Sequence, residues 1–201
     1  MSGTAQMVND VPASHRLLGL QVGRARPLDV GGREVLSGIR KHAAPGRVPV
    51  RALGLAGDEQ ADLSVHGGLS KAVYAYPVEH YPFWNRRRES WGLPPDLVYG
   101  SLGENLTLAG LLETDVFVGD ELVFPDCILR VTQPREPCFK FNAVMGSRDA
   151  ARSMARSGYC GFYVSVAAEG TLAAGESFVV TPGPRTMPLL QLFRAGRRGS
   201  A

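Results

Sequence analysis

The sequence predicts a mostly β fold with a few helices, an α+β chain whose strands form a closed or nearly closed β-barrel. Many short runs of apolar and β-branched residues are separated by glycine-rich turn signals, whereas only 77–88 and 142–157 have helical composition. At 201 residues the chain is long enough for one domain that buries most of its apolar surface.

The strand signals run along the whole chain. A hairpin is predicted at 29–35, because Gly31-Gly32 can adopt the positive φ angles of a tight turn. A second hairpin is predicted at 116–124, with Gly119-Asp120 at its turn. Further strand-like runs are expected at residues 17–22, 48–53, 72–76, 127–132, 161–166 and 177–180.

Helices are expected in two places. The first covers 77–88, with Pro77 in its first turn, where a missing backbone N–H is tolerated. Residues 142–157 are rich in Ala, Met and Arg and are expected to form one or two helices.

The predicted organisation is a single domain with short appendages. Residues 1–14 are small and polar and are expected to form a disordered leader. Residues 15–183 make up the barrel domain, and 184–201 are expected to be a C-terminal tail that is disordered beyond Phe193.

Charge and hydropathy exclude some partners. The net charge of +3 is too small to argue for nucleic-acid binding, although arginine outnumbers lysine 19 to 3. The arginine run at 86–88 is most simply a solvated face. No apolar run approaches membrane-spanning length, so neither nucleic acid nor membrane is an expected partner.

The cysteines indicate a reducing compartment. There are three, without a CxxC pair, and the N-terminus has no apolar signal core, so a cytoplasmic location is expected. Cys127 lies in an apolar run and Cys160 lies between two glycines, so both are interpreted as packing residues.

Cys138 stands in the most distinctive stretch, residues 133–141. Pro134 and Pro137 stiffen the backbone before the thiol, while Arg135 and Lys140 supply nearby positive charge. A thiolate is the nucleophile and the soft-metal ligand, and neighbouring cations favour it. The stretch indicates metal ligation or covalent chemistry, with a buried core cysteine as the alternative.

A second polar, glycine-rich block covers residues 54–74. Glycines let backbone N–H groups approach an anion closely, and His66 and Lys71 could complete such a cradle. No GxGxxG or Walker pattern is present, so a nucleotide fingerprint is not indicated. The block is either a site loop held by a scaffold or a flexible loop.

With these residues in view, the sequence resembles the MOSC domain family, named for the C-terminal domain of molybdenum-cofactor sulfurase. Within it, the sequence is similar to the stand-alone bacterial YiiM-like group. The matching pieces occur in family order within residues 17–181. They are Gly57-Asp58 with Gln60-Ala61-Asp62, His66-Gly67-Gly68 with Lys71-Ala72-Val73-Tyr74, Gly103-Glu104-Asn105-Leu106, and Gln133-Pro134-Arg135 with Pro137-Cys138.

The resemblance implies a MOSC-type β-barrel that binds a molybdenum-pterin cofactor, with the Cys138 thiolate as the protein ligand to molybdenum. The implied activity is reduction of N-hydroxylated compounds, such as hydroxylaminopurine base analogues, to amines. No ferredoxin-type cysteine spacing occurs, so a separate electron-donating reductase is implied as a partner.

The resemblance also suggests residues that bind the cofactor. Arg135, Lys140 and Lys71 are candidates for neutralising the pterin phosphate and the dithiolene charge. Asn105 and Gln133 could read the pterin edge, or else satisfy backbone groups at the barrel mouth.

Three further side chains are candidates for proton transfer or orientation. His66 could donate a proton to the departing hydroxyl, or else tie the glycine turn. Glu104 is a candidate for orienting the cofactor and Asp58 for relaying protons, although both could simply cap turns.

Two other functions stay open at this point. The chain could be a non-catalytic carrier of the cofactor or of sulfur that uses Cys138, or a ligand-binding barrel without metal. The sequence also departs from its relatives, because about twenty residues after Thr181 are too few for the helical C-terminal extension of YiiM-like proteins.

Overall fold

The computed structural model describes residues 15–61 and 67–198. The expected leader and His66 lie outside the described residues. The described strands are β1 His15–Val22, β2 Arg26–Val30, β3 Arg33–Ser37, β4 His42–Ala43, β5 Val48–Arg51, β6 Gly54–Leu55, β7 Val73–Pro77, β8 Leu106–Ala109, β9 Glu121–Val123, β10 Ile128–Pro134, β11 Phe162–Ala168, β12 Gly170–Leu172 and β13 Ser177–Thr181. The described α-helices are α1 Tyr81–Ser90, α2 Phe139–Met145, α3 Ala150–Ser157 and α4 Leu189–Arg198.

Seven strands close into a barrel in the order β13-β9-β10-β11-β7-β8-β1. Closure comes from antiparallel pairing of β1 with β13, with His15 opposite Phe178 and Arg16 opposite Ser177. Within this ring only β7 and β8 run parallel. The prediction of a mostly β fold built on a closed barrel is confirmed.

Strand β7 separates the two hydrophobic cores of the domain. All five of its residues are buried. Because side chains alternate along a strand, Val73 and Ala75 belong to the core inside the barrel, while Tyr74 and Tyr76 belong to a core outside it. The outer core is closed by helix residues, namely Trp84 of α1, Phe141 and Met145 of α2, Met154 of α3 and Phe193 of α4.

The hairpin predicted at 29–35 is confirmed. Strands β2 and β3 pair antiparallel, and Gly31 and Gly32 have φ angles of 64° and 87°. Residues 142–157 contribute to two helices, α2 and α3. Each of these helices ends at a glycine in the left-handed region, where a residue without a Cβ is favoured.

The hairpin predicted at 116–124 is wrong. Strand β9 pairs with β10 and β13, whereas Phe117 forms an isolated bridge to Pro188. The Gly119-Asp120 turn exists, but it connects this bridge to the barrel wall. The partners of β9 are therefore β10 and β13, which the local Gly119-Asp120 turn signal did not indicate.

The start of the first helix also differs from the prediction. Pro77 ends strand β7, a 3₁₀ turn covers Val78–His80, and α1 begins at Tyr81 with Pro82 in its first turn. The first turn of the helix does contain a proline, as predicted, but it is Pro82 and not Pro77.

The end of the described chain is not the expected tail. Helix α4 runs to Arg198, and its residues Leu189 and Phe193 are fully buried. Expected disorder beyond Phe193 is therefore wrong for residues 194–198. No helix within the described residues is long and apolar enough to cross a membrane.

Candidate functional site

A cleft opens beside the barrel where loop and strand residues from six parts of the chain converge. It encloses about 90 Å³, or about 650 Å³ when the space open to solvent is included. Among the residues that line it are Ser37, Ile39, Lys41, Asp58, Gln60, Lys71, Tyr74, Asn105, Arg135, Cys138, Lys140 and Tyr163.

Cys138 lies at the junction between the barrel wall and the helix layer. It follows Pro137, has an extended backbone with φ −131° and ψ 165°, and directly precedes α2. Its side chain is half-buried and lines the cleft. This position gives the thiol access to a ligand while the rigid strand end fixes where it sits.

Arg135 is a buried cation in the cleft wall. It is 5% exposed, and its guanidinium carbon lies 4.8 Å from the ring centroid of Tyr74 and 5.0 Å from that of Phe141. Its Nη1 donates to the carbonyl of Leu102 at 3.0 Å and to Tyr74 Oη at 3.4 Å. Within the described residues no carboxylate lies within 4 Å of this guanidinium.

Two tyrosines complete the wall around Arg135. Burial raises the pKa of Tyr74 well above its ordinary value, and the charge of Arg135 offsets only part of this. Burial likewise raises the pKa of Tyr163, with Arg135 again opposing. Both therefore remain neutral phenols, and neither neutralises the arginine.

All three lysines of the chain line this one cleft. Lys140 Nζ donates to the carbonyl of Leu36 at 3.1 Å, and Lys71 Nζ lies 5.9 Å from the ring centroid of Tyr163. Lys41 Nζ lies 2.5 Å from Oδ1 of Asp58. The cleft thus gathers lysine in a chain that uses arginine almost everywhere else.

Asp58 and Gln60 lie in the loop that follows β6, and hydrogen bonds hold both side chains in place. Asp58 Oδ1 accepts from the backbone N–H of Gly23 at 2.7 Å as well as from Lys41. Gln60 Nε2 donates to the carbonyl of Leu53 at 2.8 Å, and its Oε1 accepts from the backbone N–H of Gly68 at 2.7 Å. These bonds hold the loop on both sides of the undescribed residues 62–66.

The structure brings together six of the predicted site residues and leaves two out of the cleft lining. Those in the cleft are Asp58, Lys71, Asn105, Arg135, Cys138 and Lys140. Glu104 is fully buried and bonded internally, while Gln133 lies on β10 opposite Tyr163.

Asn105 has a structural task besides its place in the cleft. Its Oδ1 accepts from the backbone N–H of Tyr74 at 3.1 Å, and its Nδ2 donates to the carbonyl of Gln21 at 3.1 Å. The amide therefore links the start of β7 to the end of β1. Of the two roles that the sequence left open, the structure shows the satisfaction of backbone groups, in a side chain that also lines the cleft.

Sequence reasoning missed Lys41, Gln60, Tyr74 and Tyr163 as cleft residues. Lysine's rarity was the available signal for Lys41, because the other two lysines were already candidates. The tyrosines carried no such signal, because strand periodicity predicts burial but not the face that a cleft opens on.

The donor set fits a metal that brings its own organic ligand. Within the described residues no group of three or more His, Cys, Asp or Glu side chains could hold a bare metal ion. The cleft instead offers one thiol, a soft donor suited to molybdenum, together with four cations against two carboxylates. Because the cleft has more cations than carboxylates, it favours anionic groups such as a phosphate and a dithiolene.

A closed barrel with one accessible thiol in a cationic cleft defines the class of site. The MOSC domain model matches residues 62–179, and the chain belongs to this family, which is associated with the molybdenum cofactor. The uncharacterized protein YflK of Bacillus subtilis is 38% identical over 163 residues, which cover 81% of this chain and 72% of YflK.

A crystal structure of YiiM from Geobacillus stearothermophilus superimposes with a TM-score of 0.73 at 29% identity, covering 92% of this chain and 85% of that one. The chain is therefore YiiM-like. A protein named Reductase from Gibberella moniliformis is 34% identical over 170 residues, covering 84% of this chain but 29% of that protein.

Proposed function

We propose that this protein is a molybdenum-cofactor-dependent reductase that converts N-hydroxylated compounds, of the hydroxylaminopurine type, to amines. The observation that carries the proposal is the pairing of the half-buried Cys138 thiol with Arg135, a buried cation without a carboxylate partner among the described residues. A buried charge is costly unless it is compensated, so this arrangement favours an anionic ligand in the cleft. A relative named Reductase supports the class of reaction.

Each cleft residue has a task in this proposal. Cys138 would hold the metal, and Arg135, Lys71 and Lys140 would neutralise the phosphate and the dithiolene. Asn105 would contact the pterin edge with donor capacity beyond its bond to Gln21. The bound cofactor would supply a two-electron centre with an open position for the substrate oxygen.

Protons and electrons must come from other groups. His66 and Asp58 are the residues that the family resemblance suggests for proton handling, and a separate reductase is the proposed electron donor. Glu104 would act at a distance, because it fixes the turn whose Leu102 carbonyl accepts from Arg135. Glu104 is therefore a positioning residue in this proposal. Gln133 lies on strand β10 and would support the cleft through that strand.

The experiment that tests the proposal is molybdenum analysis with pterin fluorescence on protein from a cofactor-competent host. Wild type and a Cys127→Ala control should carry near-stoichiometric metal, because Cys127 is buried away from the cleft. Cys138→Ser should lose it, because a hydroxyl replaces the soft thiolate donor. Turnover of an N-hydroxylated purine with a chemical reductant is then measured on the loaded protein.

The outcomes separate the possible functions. Metal that depends on Cys138 together with turnover supports the reductase. Metal without turnover would point to the cofactor carrier that the sequence left open. No metal in wild type would overturn the proposal and leave a binding barrel with another anion in the cleft.

A further inference from the structure

We propose that Lys41, held by Asp58, takes the place of His66 as the side chain that donates a proton to the departing hydroxyl oxygen. This inference rests on the proposed function and adds a catalytic residue to it. It starts from an ion pair whose two members both line the cleft.

The pair is nearly enclosed by protein. Lys41 Nζ lies 2.5 Å from Asp58 Oδ1, and the two side chains are 6% and 8% exposed. Asp58 Oδ1 also accepts from the backbone N–H of Gly23 at 2.7 Å. A carboxylate with two donors on one oxygen is a fixed counter-ion for the ammonium.

Close packing of three backbone segments fixes the geometry of the pair. A Cβ placed on Gly23 would lie 2.2 Å from the carbonyl oxygen of Arg40, so only glycine allows this approach. On the other side, the backbone N–H of Glu59 donates to the carbonyl of Gly23 at 2.9 Å. Lys41 and Asp58 therefore extend from segments that both lie against the same glycine, the first in close contact with it and the second hydrogen-bonded to it.

The charge balance distinguishes Lys41 from the cations that would bind an anion. Its charge is compensated by Asp58, whereas no described carboxylate lies within 4 Å of Arg135 or Lys140. A compensated ammonium adds little to anion attraction. What it offers is its N–H groups, since an ammonium has three donors and Asp58 engages one.

The reaction has a defined need for such a donor. An N-hydroxylamine takes up two electrons and two protons, its N–O bond breaks, and the products are an amine and water. The two electrons come from the redox protein that acts as electron donor. Lys41 would give one proton to the oxygen as the N–O bond breaks, and water would supply the proton that ends on nitrogen.

Lysine suits this task and arginine does not. An ammonium can lose and regain a proton during turnover, whereas a guanidinium stays protonated in proteins. After donation Lys41 would take a proton from solvent and form its ion pair with Asp58 again. This accounts for a lysine inside the cleft of a chain with 19 arginines and three lysines.

The test compares wild type with Lys41→Arg, and uses Arg40→Lys at the exposed neighbouring position as the matched control. Lys41→Arg should keep molybdenum content, thermal midpoint and KM near those of wild type, because charge and ion pair are preserved. Its kcat should fall about 100-fold or more, the range expected for loss of a general acid. Arg40→Lys should match wild type in every measurement.

A second readout does not depend on turnover. With three lysines, the Nζ resonances can be resolved by ¹H–¹⁵N NMR, and Lys41 is assigned from the signal that Lys41→Arg lacks. N-hydroxylated substrate added to loaded protein without reductant should shift the Lys41 resonance. An unchanged resonance, or a Lys41→Arg kcat equal to that of wild type, would overturn the proposal for Lys41 alone. Absence of metal or turnover in wild type would overturn the proposed function with it.

Discussion

The three cysteines have the same chemistry but different surroundings. Burial, together with Glu176 and Asp126, raises the pKa of Cys127 to about 12. Burial also raises the pKa of Cys160 well above its usual range, and Cys160 is fully buried. Cys138 is half-buried and lines the cleft. The fold therefore buries the thiols of Cys127 and Cys160 and leaves that of Cys138 accessible from the cleft.

Alkylation should reveal this difference. Iodoacetamide at pH 8 should label Cys138 in the folded protein and leave Cys127 and Cys160 unlabelled, because a thiolate must form and be reached before it reacts. Mass spectrometry of the digested protein measures the labelled fraction at each site. Unfolded protein, in which all three react, is the control, and early labelling of Cys160 would contradict the burial described here.

Arg135 shows how one residue can link the barrel wall and the helix layer to the site. Its guanidinium packs against Tyr74 from the barrel wall and Phe141 from α2, and it bonds the Leu102 carbonyl. Any shift between the barrel and the helix layer would therefore move the cation relative to Cys138. The position of the charge is set by packing as much as by hydrogen bonds.

At the scale of elements, helix α4 is a structural part of the domain. Leu189 belongs to the core inside the barrel, and Phe193 belongs to the core outside it. Backbone bonds from Leu189 and Leu190 to Val116 and Glu113 attach the start of the helix to the barrel. A single helix thus covers the seam between the two cores.

Phe193→Ala should lower the free energy of unfolding by about 3–5 kcal/mol, the range for removing a buried aromatic side chain. Urea unfolding followed by circular dichroism measures the change. Gln191→Ala on the exposed face of the same helix is the matched control, and its effect should stay within about 0.5 kcal/mol. Equal effects of the two variants would show that α4 does not dock as described.

The elements also show how far the sequence could lead. Strand β1, the hairpin of β2 and β3, and helices α2 and α3 were predictable because their signals are local, namely apolar periodicity and glycine turns. The pairing of β9 with β13 and the docking of α4 were not, because both depend on partners more than 40 residues away or on a core that no local pattern describes.

The candidate site divides in the same way. Cys138, Arg135 and Lys140 were predictable from one stretch, because their neighbours in sequence are also their neighbours in space. Lys41 and Tyr163 reach the cleft only through strand pairing between distant parts of the chain, of β4 with β1 and of β11 with β7. Glu104 was assigned to the cofactor, but burial places its carboxylate beneath the wall, a distinction that residue type alone does not carry.

At the scale of the whole molecule, the barrel and its helix layer are joined by buried acids. Glu113 accepts from His80 Nε2 at 2.7 Å and from the backbone N–H of Gly161 at 2.6 Å, so it ties the start of α1 to β11. His80 in turn stacks on Tyr159 with ring centroids 3.8 Å apart. This junction lies on the helix side of the barrel, outside the cleft lining.

Glu104 forms the second junction. Its carboxylate accepts from the backbone N–H groups of Gly100 at 2.7 Å and Leu102 at 3.1 Å, and from Thr107 Oγ1 at 3.0 Å. The Tyr81 hydroxyl also donates to it and brings in α1. Burial raises the pKa of Glu104 above its ordinary value of 4.5, and these hydrogen bonds offset only part of the effect.

The pH dependence of stability follows from that shift. Because the pKa of Glu104 in the folded chain exceeds 4.5, the fold favours the protonated carboxyl. The stability contributed by this preference is fully present below pH 4.5 and is lost as the pH rises through the folded-state pKa. Glutamine does not titrate. The difference in free energy of unfolding between wild type and Glu104→Gln therefore separates the contribution of Glu104 from those of the other titrating groups.

Wild type should therefore exceed Glu104→Gln in free energy of unfolding by the largest margin in acid, and the margin should narrow as the pH rises above 4.5. Urea unfolding of both proteins at intervals from pH 4 to pH 8 measures it. A margin that instead widens with pH would mean that the four donors stabilise the carboxylate more than burial opposes it. The junction between barrel and helices would then be ionic, and Glu104 would add a negative charge beneath the cationic cleft.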